Sequence, residues 1–140
     1  MPQGTPATGE AQSLLVHIII CDQMRKILPH PQHGSSYAEL FRRLLSSAAA
    51  RAQLTLAFDE WDAVQQRLPP LPDAQADHTR ELFVISGSQS DAFGRDAWIE
   101  GPRVFVRQAF ARGARFMGVC FGHQVIAHAL GGCVERGPAG

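Results

Sequence analysis

Residues Leu14–Cys21 read Leu-Leu-Val-His-Ile-Ile-Ile-Cys, a near-continuous apolar run of strand length. A strand with one solvated face alternates apolar and polar side chains. A run that is apolar at both parities needs cover on both faces, as in a parallel sheet lined by helices on each side. The run is too short to span a bilayer and is interrupted by His17. The preceding Met1–Ser13 is rich in Pro, Gly, Thr and Ala, has no basic residue and contains Glu10. It reads as a disordered tail, and as a poor secretory signal. The domain proper is therefore expected over residues 14–140.

The rest of the chain repeats the same alternation of elements. Pro29-His30-Pro31 to Gly34 marks a loop, and Ser36-Tyr37-Ala38-Glu39 has capping-box spacing. Tyr37, Leu40, Phe41, Leu44 and Leu45 follow at helical intervals, which predicts an amphipathic helix over Ser36–Arg51. Gln53–Phe58 alternates as a strand, and Trp61–Leu68 has room for a helical turn or two before Pro69-Pro70-Leu71-Pro72. Glu81–Ser86 is a third strand running into Ser86-Gly87-Ser88. Pro102–Ala111 reads as a helix stopped by Gly113. Arg115–Cys120 is a fourth strand and Gly122–Leu130 a helix ended by Gly131-Gly132, with Cys133–Glu135 as the possible start of another strand. Strands alternating with helices predict an α/β fold: a flavodoxin-like parallel sheet with helices on both faces, incomplete at its C-terminal end.

Composition narrows the function classes. The 140 residues carry 13 Lys+Arg against 13 Asp+Glu, so no basic surplus points to nucleic acid and no acidic surplus to a solvating tail. Cys21, Cys120 and Cys133 are an odd count without a C-x-x-C pair, which argues against a disulfide framework and against a thiolate metal site. A cytoplasmic, reducing setting follows, with neither a membrane partner nor a metal or cofactor.

Ligands of parallel sheets bind at the carboxyl ends of strands. One such end carries chemistry: Gly118-Val119-Cys120-Phe121-Gly122 has the glycine-x-nucleophile-x-glycine spacing of a strand-to-helix elbow. Flanking glycines are needed there because side chains would collide with the neighbouring strand and helix. A thiol at the following helix N-terminus is favoured as thiolate, and the Phe121 N–H points to where an oxyanion would form. A buried structural cysteine remains the alternative for the string alone. The strand before it and the helix after it tilt the balance toward a nucleophile.

The segment Gly118-Val119-Cys120-Phe121-Gly122-His123-Gln124 resembles the active-site segment of class I glutamine amidotransferases. Val84-Ile85-Ser86-Gly87-Ser88, Asp91-Ala92-Phe93 and Trp98-Ile99 resemble a narrower group, the stand-alone GMP-synthase-like amidotransferases that include plant γ-glutamyl peptidases. The resemblance implies that Cys120 attacks a γ-glutamyl carbonyl to give a glutamyl thioester. It implies an oxyanion hole from the backbone N–H groups of Gly87 and Phe121, and Ser88 and Gln124 on the substrate. That substrate would be glutamine or a γ-glutamyl peptide. Asp91, Phe93 and Trp98 could shape the pocket, or serve as a loop cap and as core aromatics. Cys21 and Cys133 are expected to be buried small residues.

Such a site also needs a histidine, oriented by a carboxylate, to carry the proton. The family takes both from an H-x-E pair far downstream of the cysteine, and none follows Cys120 here. His123 and His128 lie on the helix leading away from the nucleophile, and His17, His30, His33 and His78 share no pattern. The expectation is the front portion of a longer domain, inactive and poorly stable alone. The alternative is a non-catalytic binding or interaction module derived from the same fold. Ser86–Asp91 has a superficial likeness to the S-G-G-x-D-S loop of ATP pyrophosphatases, but the double glycine is missing and the acidic residue is misplaced.

Overall fold

A computed structural model describes residues 12–22, 26–32, 34–135 and 137–138. Most of the expected tail, residues 1–11, lies outside the described residues, as does His33. Strand β1 (Gln12–Ile20) starts two residues before the apolar run, at Gln12. It pairs in parallel with β4 (Leu54–Asp62) on one side and β5 (Glu81–Ile85) on the other, and β5 pairs in parallel with β6 (Phe116–Gly118). The four-stranded order β4-β1-β5-β6 is the flavodoxin-like order up to its fourth strand. A separate antiparallel pair, β2 (Lys26–His30) with β3 (Gly34–Ser36), flanks the expected loop, with Pro31 and Gln32 in the turn between them.

The continuous apolar character of β1 has the anticipated cause. Val16, Ile18 and Ile20 pack with Val84 against Ala38 and Phe41 of helix α1 (Tyr37–Arg51). Ile19, with Phe83 and Ile85, faces the opposite way, onto α2 (Glu100–Ala111) and α3 (Phe121–Ala129) through Phe105, Val106, Phe121 and Val125. Fully burying each such side chain contributes roughly 1.5–3 kcal/mol. Edge strand β4 has one covered face only, so Leu54, Leu56 and Phe58 are half-buried while Thr55, Ala57 and Asp59 are exposed.

Local signals hold the helix ends. Ser36 caps α1, its hydroxyl accepting the Glu39 N–H at 3.1 Å, while the Glu39 carboxylate reaches back to the Ser35 N–H at 2.9 Å, one residue before the usual capping-box partner. Helices α2 and α3 both end in left-handed glycines, Gly113 (φ 94°) and Gly131 (φ 82°). In α3 the Gly132 N–H donates to Ala127 O at 2.8 Å and the Gly131 N–H to His128 O at 3.2 Å, a Schellman closure.

Two expectations fail, the first for a tertiary reason. Trp61–Leu68 forms no helix: Trp61 and Asp62 extend β4, and turns follow. The Trp61 indole N–H donates to Nδ1 of His17 at 3.2 Å, a bond across the sheet that a helix would forfeit. His17 is thereby left with its proton on Nε2, which donates to Glu81, and its ring stacks on Phe83 at 4.6 Å. Cys133–Glu135 follows the α3 cap without joining a strand. No helix among the described residues is long and apolar enough to cross a membrane.

Candidate active site

The elbow is formed at the carboxyl end of the two strands β5 and β6. Past Gly118 the Val119 N–H donates to Ile85 O at 3.1 Å, holding the chain against the end of β5. Cys120 then adopts φ 50° and ψ −109°, and α3 begins at the next residue. A non-glycine residue at positive φ with this ψ is sterically strained, and such strain persists only where the surroundings fix it. Here the fixing contacts are the Gly122 N–H to Val119 O bond at 2.9 Å and the Gln124 N–H to Cys120 O bond at 3.1 Å. Cys120 is exposed.

Both flanking glycines are required by close approach. A Cβ on Gly118 would lie 2.4 Å from the Gly122 carbonyl carbon and from the His123 nitrogen. One on Gly122 would lie 2.3 Å from Ile85 O. Neither partner is a flexible side-chain tip, so neither can yield cheaply.

Gly87, Phe121 and Cys120 come together. A Cβ built on Gly87 would stand 3.9 Å from Cys120 Cβ and 3.8 Å from Val119 O. Gly87 therefore lies beside the thiol-bearing residue, but these are ordinary contact distances, so a bare backbone is not demanded there. Phe121 opens α3, and its N–H belongs to the first-turn donors that no helix can satisfy internally. Its ring turns inward, 5.5 Å from that of Trp98, so side chain and amide have separate destinations.

Gln124 lies about one turn along α3 from Cys120. It lines a pocket of about 350 Å³ with Ser90, Asp91, Phe93, Val134 and Glu135 among its walls. Ser88 is half-buried, and its hydroxyl accepts the Ser90 N–H at 3.0 Å in a local turn rather than lining this pocket. Asp91 caps its own loop, accepting the Phe93 N–H at 3.0 Å, and also faces the pocket. Trp98 is a core residue, whereas Phe93 is 44% exposed. A larger cavity of about 700 Å³, lined by Gln12, Leu54, Arg80, Leu82, Arg115 and Phe116 among others, sits at the opposite, amino end of the sheet.

The other cysteines differ from Cys120 and from each other. Cys21 is fully buried, and burial first, then the charges of Asp62 and Asp22, push its thiol up to about 12. Cys133 is exposed, contrary to the expectation that it is buried, because it follows the α3 cap on the surface; its sulfur lies 3.3 Å from Glu135. Among the described residues no histidine bonds to the Cys120 sulfur. His123 is exposed, His128 packs edge-on against Phe93 at 5.2 Å, and His17 is held inside the sheet by Glu81 and Trp61. No cluster of potential metal ligands occurs among the described residues.

Sequence reasoning passed over Ser86. It is completely buried, its hydroxyl accepting the Cys21 N–H at 2.8 Å and donating to Gly87 O at 2.8 Å. A polar residue ending an otherwise apolar buried strand was the available signal.

Comparison with known proteins places the sequence among glutamine amidotransferase relatives. The chain is 35% identical over 82 residues to gamma-glutamyl peptidase 4 of Arabidopsis thaliana, covering 59% of this chain and 33% of that protein. It is 35% identical over 113 residues to the glutamine amidotransferase-like protein chyE of Penicillium rubens, covering 79% of this chain and 45% of that protein. It is 31% identical over 64 residues to a GMP synthase [glutamine-hydrolyzing] of Chlorobium luteolum, covering 46% of this chain and 12% of that protein. The chain thus spans less than half the length of each of these curated relatives. No solved structure gives a significant match. The class-I glutamine amidotransferase family model matches residues 34–140, from β3 through the elbow and beyond, and the chain belongs to that family.

Proposed function

We propose that this chain carries the nucleophile half of an amidotransferase site, in which Cys120 attacks the carbonyl of a γ-glutamyl group. The observation that carries the proposal is the backbone of Cys120, held at φ 50° and ψ −109° between β6 and α3. Strain of this kind on an exposed thiol has no packing benefit to offset it, whereas a nucleophile needs that presentation.

In the proposed reaction the sulfur forms a C–S bond to the γ-glutamyl carbonyl carbon. The resulting oxyanion accepts from the Gly87 and Phe121 N–H groups. Collapse breaks the C–N bond, expels ammonia or an amine that takes up a proton, and leaves a glutamyl thioester. Water then releases glutamate. Gln124, in the pocket beside the elbow, is proposed to hold the amino-acid end of the substrate, with Ser88 as a second contact.

The names of the relatives favour two forms of one substrate class, glutamine and γ-glutamyl peptides. Both present the same carbonyl, so the proposed chemistry at Cys120 is common to them. Three free cysteines fit a cytoplasmic, reducing setting. Proton transfer to the leaving amine needs a histidine, and no described histidine is hydrogen-bonded to the Cys120 sulfur. The chain is proposed to capture an activated γ-glutamyl group at Cys120.

A glutamine-derived chloroketone, offered to the wild type and to Cys120→Ser, tests this. The expected result is modification confined to Cys120, suppressed by excess glutamine and absent in the serine variant. Equal modification of the two exposed thiols, Cys120 and Cys133, would contradict it. A folded chain that resists the reagent altogether would favour a non-catalytic binding module instead.

A further inference from the structure

Ser86 is 0% exposed at the end of β5, where Val84 and Ile85 before it are buried and apolar. A serine hydroxyl has one proton to donate and lone pairs to accept with, and a buried one needs partners. Both roles are filled here, and they join two parts of the molecule. The Cys21 N–H, 65 residues away in sequence at the tip of β1, donates to Oγ at 2.8 Å. Oγ donates in turn to the carbonyl of Gly87 at 2.8 Å. The Ser86 N–H itself donates to Ile19 O at 3.0 Å.

These bonds fix two peptide planes. The Ser86 N–H bond pins the plane joining Ile85 to Ser86, and the Oγ bond pins the plane joining Gly87 to Ser88. The Gly87 N–H belongs to the plane between them. Peptide units are planar and stiff, so pinning both neighbours restricts the direction of that N–H. Gly87 in turn lies beside Cys120, a Cβ built on it falling 3.9 Å from Cys120 Cβ.

We propose that Ser86 is a positioning residue: its buried hydroxyl, anchored on the β1 tip, aims the Gly87 amide at the oxyanion formed on Cys120. This rests on Cys120 being the nucleophile. An alanine at this place would leave the Cys21 N–H buried without its partner and free the Gly87–Ser88 plane to rotate. The thiol itself, held by the β6–α3 bend, would keep its place.

Two reagents separate these effects on the full chain. The γ-p-nitrophenyl ester of glutamate acylates a thiol through a tetrahedral oxyanion: the C–S bond forms, the C–O bond breaks and p-nitrophenolate leaves without needing a proton. The thiol proton passes to buffer. Iodoacetamide alkylates the same thiol by displacing iodide at a saturated carbon, with no oxyanion. In Ser86→Ala, acylation of Cys120 above the protein-free background is expected to fall by about tenfold or more, the scale of a misplaced oxyanion donor, while alkylation is unchanged. Ser86→Thr, which keeps the oxygen, is expected to retain the wild-type ratio of the two rates. Equal loss of both rates in the alanine variant, wild-type acylation in it, or a threonine ratio as low as the alanine's would each overturn the role of Ser86. A wild type that acylates no faster than Cys120→Ser would instead remove the nucleophile assignment on which the role depends.

Discussion

Cys21 and Cys120 both stand just past the carboxyl end of a strand in the same parallel sheet, and their surroundings could hardly differ more. Cys21 continues β1 into the interior, fully buried, with its thiol pushed up to about 12 by desolvation and by Asp62 and Asp22. Cys120 follows β6 into a strained bend at the mouth of α3 and is exposed. A strand end is therefore not enough to present a thiol at the surface. The bend is what matters, and the bend depends on Gly118 and Gly122, whose absent side chains leave room for the chain to turn back on itself.

The comparison breaks most severely if the bend is filled. Gly122→Ala would place a carbon 2.3 Å from the Ile85 carbonyl oxygen, so the elbow must open or the β5 end must move. The expected loss of stability is about 3 kcal/mol or more, read by denaturant unfolding, together with loss of selective modification of Cys120. Gly87→Ala, with its nearest neighbours at 3.8 and 3.9 Å, is the contrast. It should change stability by less than about 1 kcal/mol in either direction.

A smaller effect sharpens the other half of the comparison. The Cys21 thiol has an ordinary value of 9.0 and is raised in the fold to about 12. Between those values the unfolded chain has released the proton that the folded chain keeps, so stability is intact below the window and falls as pH rises through it. The slope approaches about 1.4 kcal/mol per pH unit. Cys21→Ala should lack this part of the alkaline loss, so the stability curves of variant and wild type converge across the window. Parallel curves would mean that Cys21 is not the buried, protonated thiol described.

Much of this was legible because it is local. The two-faced burial of β1 follows from apolar residues at both parities, and the Ser36 cap and the left-handed Gly113 and Gly131 follow from spacing. The elbow glycines were legible for the same reason: Gly118, Cys120 and Gly122 are neighbours, and one bend fixes all three. What escaped depends on partners distant in sequence. Trp61 extends β4 because its indole finds His17, 44 residues earlier. Ser86 acquires its bond through Cys21, 65 residues earlier, and no short window of sequence joins the two. The β2–β3 pair was hidden by its shortness and by Pro29, which reads as a loop residue. Cys133 was misjudged because cysteine is a commonly buried residue type, and the α3 cap placed it at the surface instead.

The most direct test of the central claim is to look for the acyl group itself. The wild-type chain is incubated with the glutamyl p-nitrophenyl ester, digested at mildly acidic pH and mapped by peptide mass. A glutamyl adduct on the Cys120 peptide alone, discharged by neutral hydroxylamine as the γ-glutamyl hydroxamate, is the predicted result. An adduct spread over Cys120 and Cys133, or one that survives in Cys120→Ser, would contradict the account.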